Sequence, residues 1–333
     1  FPIEAGLSSV PDQEPLYDVI NLNNTIFFTS LQGDSSRYYF PPKNGIYSPS
    51  DMIPGANGRM AMMWRKPKER KKVPDGDNYF RLPATTSAKN RNITYVDAVI
   101  DGSVIDINRK EIHTGAAKRH AFPILSEEDV NEGYRKYLSR YGHTVSVKEN
   151  KKRAAERMER YADGRKEQKE DFKNEIREYH GEYPSEFVDG KVTSLGINPD
   201  STALVYELSY KMDNLVKRAG NNVILSLGKL FCDQLELLPS DRERDVDAYF
   251  GTPREYVTRI SVGIPSGYTV NEGSLSGLNR LILNESGAFS ANTILVSPDK
   301  LQVDIIKRYN KGVLPVSEWP EMLSVLDMAS EWN

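Results

Sequence analysis

The stretch that most restricts what this chain can fold into runs from Arg254 to Asn333. It opens Arg-Glu-Tyr-Val-Thr-Arg-Ile-Ser-Val-Gly-Ile-Pro-Ser-Gly-Tyr-Thr-Val and continues as short apolar runs cut by turn residues. Runs of this length, rich in β-branched and aromatic residues and punctuated by Gly, Pro and Asn, read as consecutive strands. They are expected at 255–264, 268–270, 278–283, 288–296 and 301–309. Ser317 then caps one final helix, with Pro320 in the first turn and Trp319, Met322, Leu323, Leu326 and Ala329 on its apolar face.

The same grammar extends upstream. Strands at 93–100 and 104–112 flank Asp101-Gly102, a strong hairpin signal. A second Asp-Gly pair, Asp189-Gly190, is expected to turn between strands at 186–188 and 191–197. Further strands follow at 202–212 and 223–227. Between these blocks the period changes from two to about 3.6. Ser126, followed by Glu127, Glu128 and Asp129, opens a helix that Gly142 stops. A second helix is expected from Ser146, with Glu149 completing a capping box, to Gly181; Gly164 marks a point where it could kink. The fold class is therefore mainly β: an antiparallel β-sandwich with an inserted α-helical hairpin over 126–183 and a C-terminal helix.

Residues 1–73 read as a separate segment. Strands at 18–31 and 37–40 enclose a Gln-Gly-Asp-Ser-Ser turn, Pro41, Pro42, Pro49 and Pro54 force an irregular path, and a basic run lies at 65–72. No aromatic residues interleave with that run, so a solvated linker outweighs a phosphate-binding patch. The β domain occupies 74–333. The chain starts at Phe1 without a basic-then-apolar leader, and is expected to be processed or part of something longer.

A net charge of −3 supplies no global field for nucleic acid, and no apolar run reaches membrane-spanning length. Cys232 is the single cysteine, which excludes a disulfide within the chain and a multi-cysteine metal site. It sits among apolar residues in Lys229-Leu-Phe-Cys-Asp and reads as an inert thiol.

Several motifs resemble the C-terminal half of a family of bacterial cell-envelope proteins, typical of Bacteroidetes. In that family a transglutaminase-like core lies between two mostly-β domains. The matching residues are Ile264-Pro265-Ser266-Gly267-Tyr268-Thr269-Val270, Arg254-Glu-Tyr, Gly287-Ala-Phe and Val316-Ser-Glu-Trp-Pro. Leu82-Pro83, Asn90 and the Asp101-Gly102 hairpin are also similar. Residues 15–64 more weakly resemble the last strands of the transglutaminase-like core, a partial α+β segment preceding the β domain. The resemblance implies a periplasmic or cell-envelope location.

It also implies which residues a catalytic site would need. A transglutaminase-like site uses a thiolate activated by a histidine that an acid orients. The histidine position falls near Asn23-Asn24-Thr25-Ile26, with asparagine in its place. The aspartate position falls near Tyr39-Phe40-Pro41, with proline in its place. Asparagine cannot accept a proton from a thiol, and proline has no side-chain acceptor. No catalytic residue and no cofactor are assigned.

The remaining candidates are binding residues. Asp241, Glu243, Asp245 and Asp247 alternate in a run that could hold calcium, but Arg242 and Arg244 interleave, and the calcium-loop glycine and terminal glutamate are missing. Asp75-Gly-Asp77 is a similar candidate. Tyr38, Tyr39, Tyr206 and Tyr210 could offer a flat sugar platform or pack in a core. His113 and His120, seven apart, would point to opposite faces of a strand, and His180 would sit as a cation in the last turn of a helix. The expected function is a non-catalytic envelope module that binds a glycan or an envelope polypeptide, or acts as a scaffold. The alternatives are a cysteine peptidase or acyltransferase with its nucleophile upstream, and an assembly protein docking through 126–183. The residues do not fix an oligomeric state.

Overall fold

The structure, a computed structural model, describes residues 3–8, 26–32, 37–40, 60–64 and 79–81 as backbone. With their side chains it describes residues 84–140, 142–143, 149–197, 201–232, 234 and 237–332. The first group forms one five-stranded antiparallel sheet. It contains β1 (Ile3–Ser8), β2 (Ile26–Gln32), β3 (Arg37–Phe40), β4 (Met60–Trp64) and β5 (Tyr79–Arg81), in the order β3-β2-β1-β4-β5. Because β5 belongs to this sheet, the two sheets divide between Arg81 and Arg91, later than residue 73.

The second sheet has eight strands. They are β6 (Arg91–Asp101), β7 (Val104–His113), β8 (Glu186–Leu195), β9 (Leu204–Met212), β13 (Arg254–Gly263), β14 (Arg280–Leu283), β15 (Gly287–Ser297) and β16 (Lys300–Tyr309). Between and after them lie the hairpin β10 (Val216–Ala219) and β11 (Asn222–Leu225), and the short pair β12 (Ala248–Tyr249) and β17 (Val313–Leu314). The order in the large sheet is β14-β15-β16-β13-β6-β7-β9-β8. Every pairing is antiparallel except that of β13 with β6, which is parallel. The chain is thus mainly sheet, with the helical insertion and the C-terminal helix that the strand pattern implies.

Alternation along the strands sorts residues between two faces. Val96, Ala98, Ile105, Ile107, Leu204, Leu208, Ile260, Val262, Val303 and Ile305 are all buried on the core face. The opposite face is wet and laddered with charge: Lys110 and Lys191 both reach Glu207, and Arg259 meets Asp304 at 2.5 Å. The Asp101-Gly102 turn forms as expected, with Gly102 at φ 66°, a left-handed conformation that costs a glycine little.

Among the described residues, helices and short 3₁₀ segments cover the core face. The insertion contains α1 (Glu127–Arg140) and α2 (Lys151–His180); α3 (Glu272–Leu275) is one turn, and α4 (Trp319–Trp332) closes the chain. α4 buries Trp319, Met322, Val325, Leu326, Ala329 and Trp332. α2 is amphipathic over its second half, burying Phe172, Ile176 and Tyr179, while its first half is solvated apart from Tyr161. Ser126 caps α1 through a reciprocal pair of bonds with Asp129, and Gly181 ends α2 in the left-handed conformation.

Three local expectations are corrected. α2 is capped by Asn150, whose side chain accepts from the Arg153 amide, and not by Ser146, which lies outside the described residues. The strand expected at 268–270 is replaced by a turn, with Tyr268 N–H donating to the Pro265 carbonyl. Asp189-Gly190 does not turn at all; it runs through the middle of β8 between two bulges. The glycine serves packing instead. A Cβ on Gly190 would lie 2.7 Å from Phe172 Cδ2, so its absence lets the ring of α2 rest on the strand.

Candidate functional site

The most perturbed titratable groups gather on the core face beneath α2. β7 contributes Arg109, Glu111 and His113 on alternate positions, so one strand alignment places three ionisable side chains in the interior. β6 adds Thr94, β9 adds Tyr206 and Tyr210, and α2 adds Glu175, Tyr179 and His180. Arg109 and Glu175 form an ion pair, and Glu175 also accepts from the Tyr206 hydroxyl at 2.9 Å. The Arg109 guanidinium lies 3.9 Å from the centre of the Tyr179 ring and 3.5 Å from Glu111. Thr94 donates to Glu111 at 2.8 Å.

The protonation states follow from this packing. Burial opposes charge on Arg109, but its neighbours, Glu175 foremost, outweigh that and keep the guanidinium's pKa above its ordinary value. Burial raises the Glu111 carboxyl to about 8 against the opposing pull of Arg109, so Glu111 is predominantly neutral near pH 7.

His180 bonds through Nδ1 to the Lys229 carbonyl at 2.7 Å and through Nε2 to the Tyr210 hydroxyl at 2.6 Å. A carbonyl only accepts, so Nδ1 carries the proton and Nε2 accepts from Tyr210. Burial, then Arg109, lowers this histidine to about 3. The expected helix-end cation is therefore a neutral core residue. His113 is held at about 3 by burial, His120 and Arg109, and stacks on Tyr206 with ring centres 5.5 Å apart. His120 is not on the same strand; it lies in the 3₁₀ segment Gly115–Ile124, so the opposite-face expectation does not apply.

This cluster is enclosed. Arg109 is 1% exposed, Glu111 1%, Tyr206 3% and Tyr210 1%, so neither tyrosine is a solvent-facing sugar platform. Tyr38 and Tyr39 lie in β3, where only backbone is described; Asn23, Asn24, Pro41, Asp75 and Asp77 lie outside the described residues. Cys232 is half-buried beside Gln234, and burial pushes its thiol up to about 11. The same Gln234 amide accepts from Lys307 at 2.7 Å.

The acidic run is used structurally. The Asp241 carboxylate accepts from the Leu238 amide and Asp247 from the Val316 amide, while Arg242 clamps Asp327 of α4 with bonds of 2.6 and 3.0 Å. Arg244 lies over the Trp319 ring. Among the described residues no three His, Cys, Asp or Glu side chains converge on a common point that could hold a metal, and Asp241, Glu243, Asp245 and Asp247 are not brought together.

A surface cleft of about 390 Å³ lies between α1 and β8, the last strand of the large sheet among the described residues. Gly133 lets the helix approach, since a Cβ there would meet Leu195 Cδ1. Glu128, Glu132, Lys136 and Arg165 rim the cleft, and the segment from Val192 to Ile197 forms its floor. Arg165 reaches Glu128 at 3.3 Å, and Asp129 is engaged with Ser126 and Gln168. Sequence reasoning did not find this site, because it depends on β8 ending the sheet, and strand order is not written in local periodicity.

No family model, curated protein or solved structure matches the chain.

Proposed function

We propose that this chain is a non-catalytic module of the bacterial cell envelope that binds an extended polypeptide in the cleft between α1 and β8. The observation that carries the reading is the cleft itself: room of about 390 Å³ beside a strand that, among the described residues, has β9 on one side only. A strand edge offers main-chain donors and acceptors to an added segment, while charged groups on the rim select its side chains. The bulge between Val192 and Ser194 keeps any added pairing short. Carbohydrate rings favour flat aromatic surfaces, and among the described residues the cleft lining contains none, which favours a polypeptide over a glycan. The envelope location rests on the resemblance of the strand-linking motifs. The enclosure of Arg109, Glu111, His113 and His180 supports a binding role over an enzymatic one.

The test is a titration with fluorescent peptides tiled across the cell's own envelope proteins, followed by anisotropy. Charge reversal by Glu132→Lys together with Lys136→Glu should weaken a bound peptide about tenfold, or ~1.4 kcal/mol. If no peptide binds above a scrambled control, or the double variant binds as the parent does, the reading fails.

A further inference from the structure

A second cleft lies at the same end of the strands but nearer the middle of the sheet, where three segments meet. Its walls are the start of β6, the 3₁₀ segment Gly115–Ile124 and the start of β13, with Asn92, Arg119, His120, Arg254, Glu255 and Tyr256 in the lining. Asn90, 1% exposed, pins the three together: it donates to the Pro253 carbonyl at 2.9 Å and accepts from the Ala116 amide at 3.0 Å. The walls are thus fixed before any ligand arrives. The space, about 10 Å³, admits one water-sized group.

The charge around this small space is one-sided. Glu255 is the single carboxylate in the lining, and it is already engaged by Arg91 at 2.5 Å and Arg308 at 2.7 Å on the other face of the sheet. Arg119 and Arg254 form no ion pair among the described residues. Arg254 is held in place by its bond to the Phe250 carbonyl and by the Tyr309 ring, 4.7 Å from the guanidinium carbon. Two guanidiniums, Arg119 and Arg254, therefore line a space whose single carboxylate is already paired with two others, in a chain whose net charge is negative. His120 at the rim responds to the same field: burial first, then Arg119 and Arg254, lower it to about 4.

We infer that this cleft binds an oxyanion, a carboxylate or a phosphate, which inserts one oxygen between Arg119 and Arg254 beside His120. An anion there would offset the two guanidiniums and make protonation of the imidazole easier. This site is separate from the polypeptide cleft, and its success or failure is independent of that reading.

The experiment follows the His120 ring carbon–proton signal by NMR across a pH titration of the full chain. It is run in sodium acetate, in sodium phosphate, and in sodium chloride at matched ionic strength. Acetate or phosphate should move the His120 midpoint from about 4 toward its ordinary 6.5, and the more effective of the two identifies the class of oxyanion. Arg119→Gln should retain the amide spectrum of the fold and lose the anion-dependent part of the movement. An equal movement in chloride would mean simple screening. Either that result or a full anion response in Arg119→Gln would overturn the assignment.

Discussion

Buried titratable side chains on and against β7, with Glu111 and His113 on the strand and His180 on α2, set the pH behaviour of this protein. The unfolded Glu111 titrates near 4.5 and the folded one near 8. Between those values the folded state holds a proton that the unfolded state has lost, so stability falls as pH rises through that window. His113 and His180 act oppositely: their folded values near 3 lie below the ordinary 6.5, so stability rises with pH from 3 to 6.5. With His120, held at about 4, three histidines outweigh one glutamate below 6.5, and Glu111 acts from 6.5 to 8. Unfolding free energies from urea titrations measured against pH should therefore peak near 6.5 and decline by about 2 kcal/mol toward pH 8. Glu111→Gln should remove the decline on the alkaline side. A flat profile from 6.5 to 8 in the parent would show that Glu111 is ionised throughout. None of this was readable from the residues alone. An Arg-Lys-Glu run on a strand looks like a wet edge until the strands on both sides are known.

At the scale of elements, the informative error concerns Asp189-Gly190. The pair carries the same turn chemistry as Asp101-Gly102, yet only the latter turns. What separates them is Phe172, on a helix that precedes the strand, whose ring occupies the space a side chain at 190 would take. Gly190→Ala should destabilise the protein by about 1–3 kcal/mol through overpacking, and adding Phe172→Leu should recover part of the loss in the same denaturation assay. If Gly190→Ala is neutral, the ring is not seated there. The hairpin's existence and its stop at Gly181 were legible because caps and periodicity are local signals. Its role was not. Residues 126–183 are no detachable arm, since α2 delivers Phe172, Ile176 and the Glu175 partner of Arg109 to the core. Deleting them should therefore prevent the large sheet from folding, not merely abolish docking.

The molecule as a whole is organised by its sheets. Among the described residues, all eight strands of the large sheet and helices α1 to α4 lie within residues 91–332, together with the apolar core. A fragment spanning residues 84–333 should consequently unfold in one cooperative transition with the urea dependence expected for its size. A fragment that shows no transition would mean that the five-stranded sheet supplies part of that core. The mainly β class was legible because strand spacing and turn residues repeat along the whole region. The parallel join between β13 and β6 was not, because a pairing between Arg91 and Glu255, 164 residues apart, leaves no mark on either segment.

That join has a consequence for how the chain is made. On a ribosome, β6, β7, α1, α2, β8 and β9 emerge before β13 and can assemble as half a sheet, while the flank of β6 that will receive β13 has no neighbour. Its main-chain groups stay open to any passing strand until the segment Arg254–Gly263 has been synthesised, and long-range closure of this kind is slow. The interval between those two segments is therefore the period of greatest exposure to aggregation, and a chain interrupted within it would end with a bare, mostly apolar flank at the centre of its sheet.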